Sequence, residues 1–282
     1  MSFIDRGISH LGRVIKSGYI QLEFASKDGF FQRLDARIKV LFLLSFIVIV
    51  SLKKEILPEI IIALFVFGLA AVSRLNLFDF YKKVIPLGFI FGFLIALPSA
   101  FNVITKGEVI LPVVHLSRSN DFWIYHVPET VGITREGISG VAMLTLRVLN
   151  SIALSFLILY TTPLSEIIRA LKVFRVPDAI LIIITLTYKY IFIFAKTVQD
   201  MHLAKKSRMS GEVTNTEARK WVAGRLAFMF KKTNQRCEDV FKAMLGRGFS
   251  NTVRLYGFRK MSSMDWATGS FLFFLGAIFL CI

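Results

Sequence analysis

A carboxylate and a guanidinium stand inside otherwise apolar runs of this 282-residue sequence. Glu59 lies near the start of the run Ile56–Val72. Arg147 lies within Ile138–Thr161, at a depth of roughly 14 Å for a helix rising ~1.5 Å per residue. Ionisable groups at bilayer depth are costly, and those that occur line pathways, relay protons or pair with each other. A Glu59–Arg147 contact is therefore the first chemistry the sequence offers, as a structural pair before a substrate site. Their unequal depths leave the pairing open. A second feature is Gly246-Arg247-Gly248. By spacing alone it reads as a helix C-terminus, where glycine takes the left-handed conformation and arginine complements the dipole.

Catalytic constellations are not expected. No paired carboxylates, clustered histidines or Ser-His-Asp set shows compelling spacing. His10, His115, His126 and His202 form no H-x-x-H or H-E-x-x-H pattern, and Cys237 and Cys281 carry no metal signature. Neither a metal site nor a cofactor-binding site is assigned. The chain has no Gly-Lys dipeptide, so the phosphate-cradling G-x-x-x-x-G-K-[ST] loop is absent.

The elements that must position these residues are membrane helices. Hydrophobic residues make up 55% of the chain, 28 of them Phe, outside the range of ordinary soluble domains. They cluster in runs near the ~20 residues a helix needs to cross a ~30 Å hydrocarbon core. A net charge of +16 would suit nucleic acid, but Lys and Arg retained on the cytoplasmic side explain it without that partner. No nucleic-acid binding is expected. The first 36 residues hold no cleavable signal pattern, so insertion through the chain's own helices is expected.

Residues 1–37 are mixed and basic and are expected in the cytoplasm. Ile38–Leu52 is the first span; Lys53-Lys54-Glu55 turns the chain into the second, Ile56–Val72. Ser73–Ile85 alternates aromatic and charged residues, as in a helix lying in the interface with Lys82 and Lys83 at the headgroups. Pro86–Ile104 is a third span with Pro98 as its expected kink. Thr105–Gly137 is a polar, β-prone external loop that suits a hairpin. Ile138–Thr161 is a fourth span, completing a transmembrane region over 38–162. Residues 163–264 are rich in Lys and Arg, and 265–282 form a final span.

Ala179–Lys196 is apolar enough for another crossing. Charge argues otherwise: were it to cross, Lys205–Lys260 would lie opposite Arg169, Lys172 and Arg175, and one basic segment would have to be translocated. Tyr188-Lys189-Tyr190 also interrupts its centre. The expected fold is an all-α integral membrane protein of about five spans, N-terminus inside. Ala179–Lys196 then becomes a long helix on the cytoplasmic face.

Thr162-Pro163 should open an amphipathic helix, with a hydroxyl at the N-cap and proline at the first helical position. Leu164, Ile167, Ile168, Leu171 and Phe174 share one face, and Pro177 stops it. A second amphipathic helix covers about Arg219–Leu245, with Leu226, Phe230, Cys237, Phe241 and Met244 as its apolar stripe.

The order of these features resembles the transmembrane T component of energy-coupling factor transporters, the EcfT/CbiQ family. Leu34-Asp35-Ala36-Arg37-Ile38-Lys39 is similar to that family's L-D-P-R-x-K entry into the first span, with Ala36 in place of proline. Arg147-Val148-Leu149, Thr161-Thr162-Pro163, Ala170-Leu171, Val176-Pro177 and Tyr188-Lys189-Tyr190 then follow in the family's order. Members carry two short Ala-Arg-Gly motifs at the ends of cytoplasmic coupling helices, which dock on a pair of ATPase subunits. Here the second is Gly246-Arg247-Gly248, and the first is degenerate, around Ser207-Arg208-Met209.

The resemblance implies a coupling subunit of an ABC-type importer in a bacterial or archaeal cell membrane. Its partners would be two ATPases and a membrane substrate-capture (S) component, with ATP and Mg bound by the ATPases. Its cargo would be cobalt or nickel, or a vitamin. ATPase docking by Arg208, Gly246, Arg247 and Gly248 is likewise an implication of the resemblance. A stand-alone secondary transporter or channel is the alternative class, weakened by the few charges in the spans and the lack of an evident inverted repeat of broken helices.

Overall fold

The computed structural model describes residues 29–102, 104–105, 107–115, 120–122, 125–127, 130–208, 215–249 and 261–281; side chains over 113–131 are not described. Met209 and the N-terminal residues 1–28 lie outside the described residues. The chain divides into two units. One comprises Glu23–Ile167 with Arg259–Ile282, the other Ile168–Phe258 with Met1–Leu22.

The first unit is an α-helical bundle whose order can be followed from its contacts. Helix α1 (Ala36–Leu52) starts at Asp35, whose carboxylate accepts from the backbone N–H of Arg37 at 2.9 Å. That caps one of the N–H groups left open at a helix start. Helix α2 (Ile56–Val72) runs back, so that the Ser73 carbonyl accepts from the Gln32 side chain at 2.9 Å, beside the start of α1. Helix α3 (Leu77–Gly88) continues as a π-helical turn, Phe89–Leu94, and ends in a 3₁₀ turn, Leu97–Ala100.

Ser73–Ile85 and Pro86–Ile104 are therefore not two separate elements: one helical stretch covers Leu77–Ala100. Lys83 faces Tyr160, donating to its hydroxyl and sitting 5.0 Å from its ring centroid. The aromatic-charged alternation is the amphipathic first half of a longer helix, with Lys82 and Lys83 exposed. Pro86 lies inside it, and Pro98 sits in the 3₁₀ turn that ends it rather than at a mid-span kink.

Four short strands follow, with β1 (Val109–His115) antiparallel to β4 (Thr130–Thr134) and β2 (Asn120–Phe122) antiparallel to β3 (Tyr125–Val127). Helix α4 (Arg135–Thr161) then returns through the bundle, capped by the Thr134 hydroxyl, which accepts from Gly137 N–H at 3.0 Å. It packs against α3 where Gly88 meets Leu149 and Gly92 meets the backbone of Thr145. A Cβ on Gly92 would stand 3.0 Å from Thr145 Cα. Small residues four apart let membrane helices approach closely where lipid supplies no hydrophobic drive for them to associate.

Helix α8 (Ser263–Cys281) lies parallel to α1. Its start touches the start of α1 through Asp265 and Asp35, and its end touches the end of α1 where Lys53 donates to the Leu280 carbonyl. Between those points Gly269 faces Ile38 and Gly276 faces Ile49. Phe42, Phe46, Phe65 and Phe279 cluster at ring separations of 4.4–6.5 Å and join α1, α2 and α8. Such aromatic pairs each contribute about 0.5–1.5 kcal/mol beyond burial.

The second unit is built from long helices. Helix α5 (Leu164–Leu171) leads into it through a 3₁₀ turn, Lys172–Phe174, and Lys172 pairs with Asp178 at 3.3 Å. Helix α5 begins one residue later than the Thr162 cap would place it, with the Pro163 carbonyl accepting from Glu166 and Ile167 N–H, while the Thr162 hydroxyl accepts from Lys39. Helix α6 covers Asp178–Arg208 and α7 covers Asn215–Gly246. Among the described residues α4, α6 and α8 are long and apolar enough to cross a membrane, and α2 is a shorter apolar helix.

Candidate functional site

The structure brings Glu59 and Arg147 together. Arg147 Nε lies 3.8 Å from Glu59 Oε1, and its Nη2 donates to the Lys53 carbonyl at the α1–α2 turn. Their different depths are reconciled by the lengths of two parallel helices: α4 has 27 residues against 17 in α2 and starts well before it, which sets Arg147 beside the first turn of α2. Asn150 completes the group, its amide donating at 2.8 Å to Glu59 Oε2 and at 2.9 Å to the Glu59 carbonyl. Glu59 is fully buried, whereas Arg147 remains partly exposed. A buried carboxylate needs such donors, since an unpaired charge costs several kcal/mol. Asn150 was absent from the candidate residues, although its position three after Arg147 puts both on one helix face.

A second polar cluster sits at the opposite end of the bundle. Lys39 is buried, and its ammonium donates to the Thr161 carbonyl at 3.2 Å, the Thr162 hydroxyl at 3.0 Å and the Gln32 carbonyl at 3.4 Å. It thereby closes the C-terminus of α4, where the dipole favours a cation. Asp265 performs two tasks beside it. One oxygen accepts from Ser262 N–H at 2.9 Å, capping α8, and the other accepts from Asp35 N–H at 3.2 Å. Lys39 and Asp35 stand in the entry motif of the first span, but nothing in their spacing pointed to residues 162 or 265.

The arginines of the second unit are exposed at helix ends. Arg208 is the last residue of α6, and Arg247 follows the last residue of α7. Lys205, one turn before Arg208, places its ammonium 4.3 Å from the Trp221 ring centroid, with Arg225 at 5.7 Å from the same ring. The end of α6 is thus held against the first turns of α7. At the other end Gly248 N–H donates to the Leu245 carbonyl at 2.9 Å and Phe249 N–H to the Met244 carbonyl at 3.1 Å, with Gly248 at φ +79°. This pair of bonds is the Schellman motif, which requires the left-handed residue that glycine supplies.

Gly246 and Gly248 have open space where a Cβ would stand, so no packing within the chain requires the glycine at 246. The two arginines flank α7, a helix about 48 Å long at ~1.5 Å per residue, and do not form one site. Along α7 the side chains of Leu226, Phe230 and Phe241 are exposed, as is Cys237. Among the described residues no group of three or more His, Cys, Asp or Glu is placed to hold a metal ion.

An apolar helical bundle with a buried polar pair and exposed basic helix ends defines an α-helical integral membrane protein. The family model for CbiQ, the cobalt transport protein, matches residues 28–256, and the chain belongs to that family. An uncharacterized protein of Methanocaldococcus jannaschii is 30% identical over 250 residues, covering 89% of this chain and 82% of its own length. The cobalt transport protein CbiQ of Rhodobacter capsulatus is 24% identical over 136 residues, 48% of this chain and 55% of its own. A second uncharacterized M. jannaschii protein is 22% identical over 236 residues, 79% and 78% of the two chains. The chain is thus a transport component that works within a complex.

Proposed function

We propose that this chain is the membrane coupling subunit of an energy-coupling factor importer for divalent cobalt. Two partner ATPases would bind ATP and Mg, and a separate membrane protein would capture the cargo. Exposed Arg208 and Arg247, at the helix ends that flank α7, are the observation that carries this reading. Arginine presents a fixed fork of donors suited to carboxylates, and Gly246 leaves room for a partner's backbone to approach.

The placement of the basic region supports it. The chain leaves the bundle after Thr162 and re-enters at Ser262, and both points lie at the Lys39 end. An even number of crossings must therefore separate them. Helix α7 carries Lys231, Lys232, Arg236, Glu238, Asp239 and Lys242 and is a poor span, which favours none. Helix α6 is then a long helix on the same side as α7, and the bundle has five crossings. Positive-inside puts that side, with the N-terminus, in the cytoplasm, where ATPases are.

In this reading closure of the ATPase pair shifts the ends of α6 and α7, and the helices carry the shift to the capture protein. The test is Arg247→Glu in the co-expressed complex. Loss of ATPase co-purification and of cobalt uptake is expected; unchanged values for both would sink the docking role.

A further inference from the structure

Residues 163–261 join the chain of the bundle at two roots, Thr162 on the way out and Ser262 on the way back. Each root is held by a side chain that the family reading leaves without a role. At the first, Lys39 grips the last carbonyl of α4 and the hydroxyl of Thr162, immediately before Pro163 opens α5. At the second, Asp265 takes the N–H of Ser262, the residue from which α8 starts.

The two grips share one foundation. Asp265 also takes the N–H of Asp35, which caps α1, and Lys39 is one turn further along that helix. Lys39 and Asp265 are both buried, at 1% and 4% exposure. Exit root, return root and first span are thereby joined in one hydrogen-bonded group.

We infer that Lys39 and Asp265 form a root clamp that fixes both ends of the coupling region to the first span, so that movement of its helices turns about a stationary base. They are positioning residues, acting through Thr162 and Ser262 rather than touching cargo or nucleotide. A simple cap at the end of α4 would need Lys39 but not Asp265. A simple cap at the start of α8 would not need the bond to Asp35. The inference rests on the coupling reading: a clamp at the roots transmits force only if the region between them is pushed.

The experiment uses the complete complex in vesicles and reads cobalt(II) uptake and ATP hydrolysis together for Lys39→Met and Asp265→Asn. The methionine keeps the length of the side chain without its charge, and the asparagine keeps its shape with one acceptor fewer. Assembly measured by co-purification should persist. Uptake per ATP hydrolysed should fall about 10-fold in each, within the range typical of coupling between sites. The inference is overturned if the ratio is unchanged in both variants, or if uptake and hydrolysis merely fall together with the amount of assembled complex. Should Lys39→Met fail to assemble, the ratio for Asp265→Asn decides. If the unmodified chain neither holds ATPases nor supports ATP-driven uptake, the coupling reading falls and the clamp with it. If it does both and only the ratio is indifferent, the clamp alone falls.

Discussion

Asn150 donates one amide group to both the side-chain carboxyl and the backbone carbonyl of Glu59, at 2.8 and 2.9 Å, and so holds a fully buried acidic side chain on α2 against α4. Arg147 approaches the same carboxylate only to 3.8 Å and keeps part of its side chain exposed. The neutral donor, and not the opposite charge, makes the closer contact.

Asn150→Leu should therefore destabilise the bundle by about 1–3 kcal/mol, the cost of leaving a buried acceptor without its donor. Arg147→Met should cost less, because its side chain is partly exposed and comes only within 3.8 Å of the carboxylate. Thermal unfolding in mild detergent gives the order, and a larger loss for Arg147→Met would reverse the assignment.

Gly246→Ala should act in opposite directions on the isolated chain and on the complex. Alanine is the better helix former by about 1 kcal/mol, and nothing in this chain obstructs its methyl group. The isolated chain should melt no lower, while ATPase co-purification weakens.

Gly248→Ala is different, since Gly248 sits at φ +79°. Forcing alanine into that region costs roughly 1–2 kcal/mol. Amide exchange at Gly248 and Phe249 should accelerate, with the middle of α7 unchanged.

Trp221→Ala should loosen the α6–α7 hairpin by removing the ring shared by Lys205 and Arg225, each contact being worth about 0.5–1 kcal/mol at an exposed site. Faster amide exchange in the last turns of α6 and the first of α7 is the expected reading.

Sidedness can be measured directly on Cys237, which is exposed. A membrane-impermeant thiol reagent should reach Cys237 from the same face of sealed vesicles as a cysteine placed at Ser262. Labelling from opposite faces would contradict a basic region that makes no crossing.

The spans were legible because lipid imposes long apolar runs, and Ile56–Val72 emerged with the bounds that hydropathy set. The third helix was read as two elements because its charged first half interrupts the hydropathy, whereas the structure runs them together over Leu77–Ala100. Glu59 and Arg147 stood out through the cost of charge in lipid. Asn150 and Asp265 did not, since a polar residue announces a buried partner only when that partner's position is known. The end of α7 was readable from glycine chemistry, but the bracing of α6 by Trp221 depends on a hairpin that no local pattern encodes.

The pairing of α1 with α8 has a consequence for how the protein is made. The cap of the first span is completed by residue 265, and the faces of Ile38 and Ile49 are covered by Gly269 and Gly276. During synthesis α1 is made long before α8, and until α8 arrives that flank of α1 is left to lipid. A nascent chain that stops short of Ser263 leaves that flank bare, so α1 reaches its finished packing only when α8 is in place.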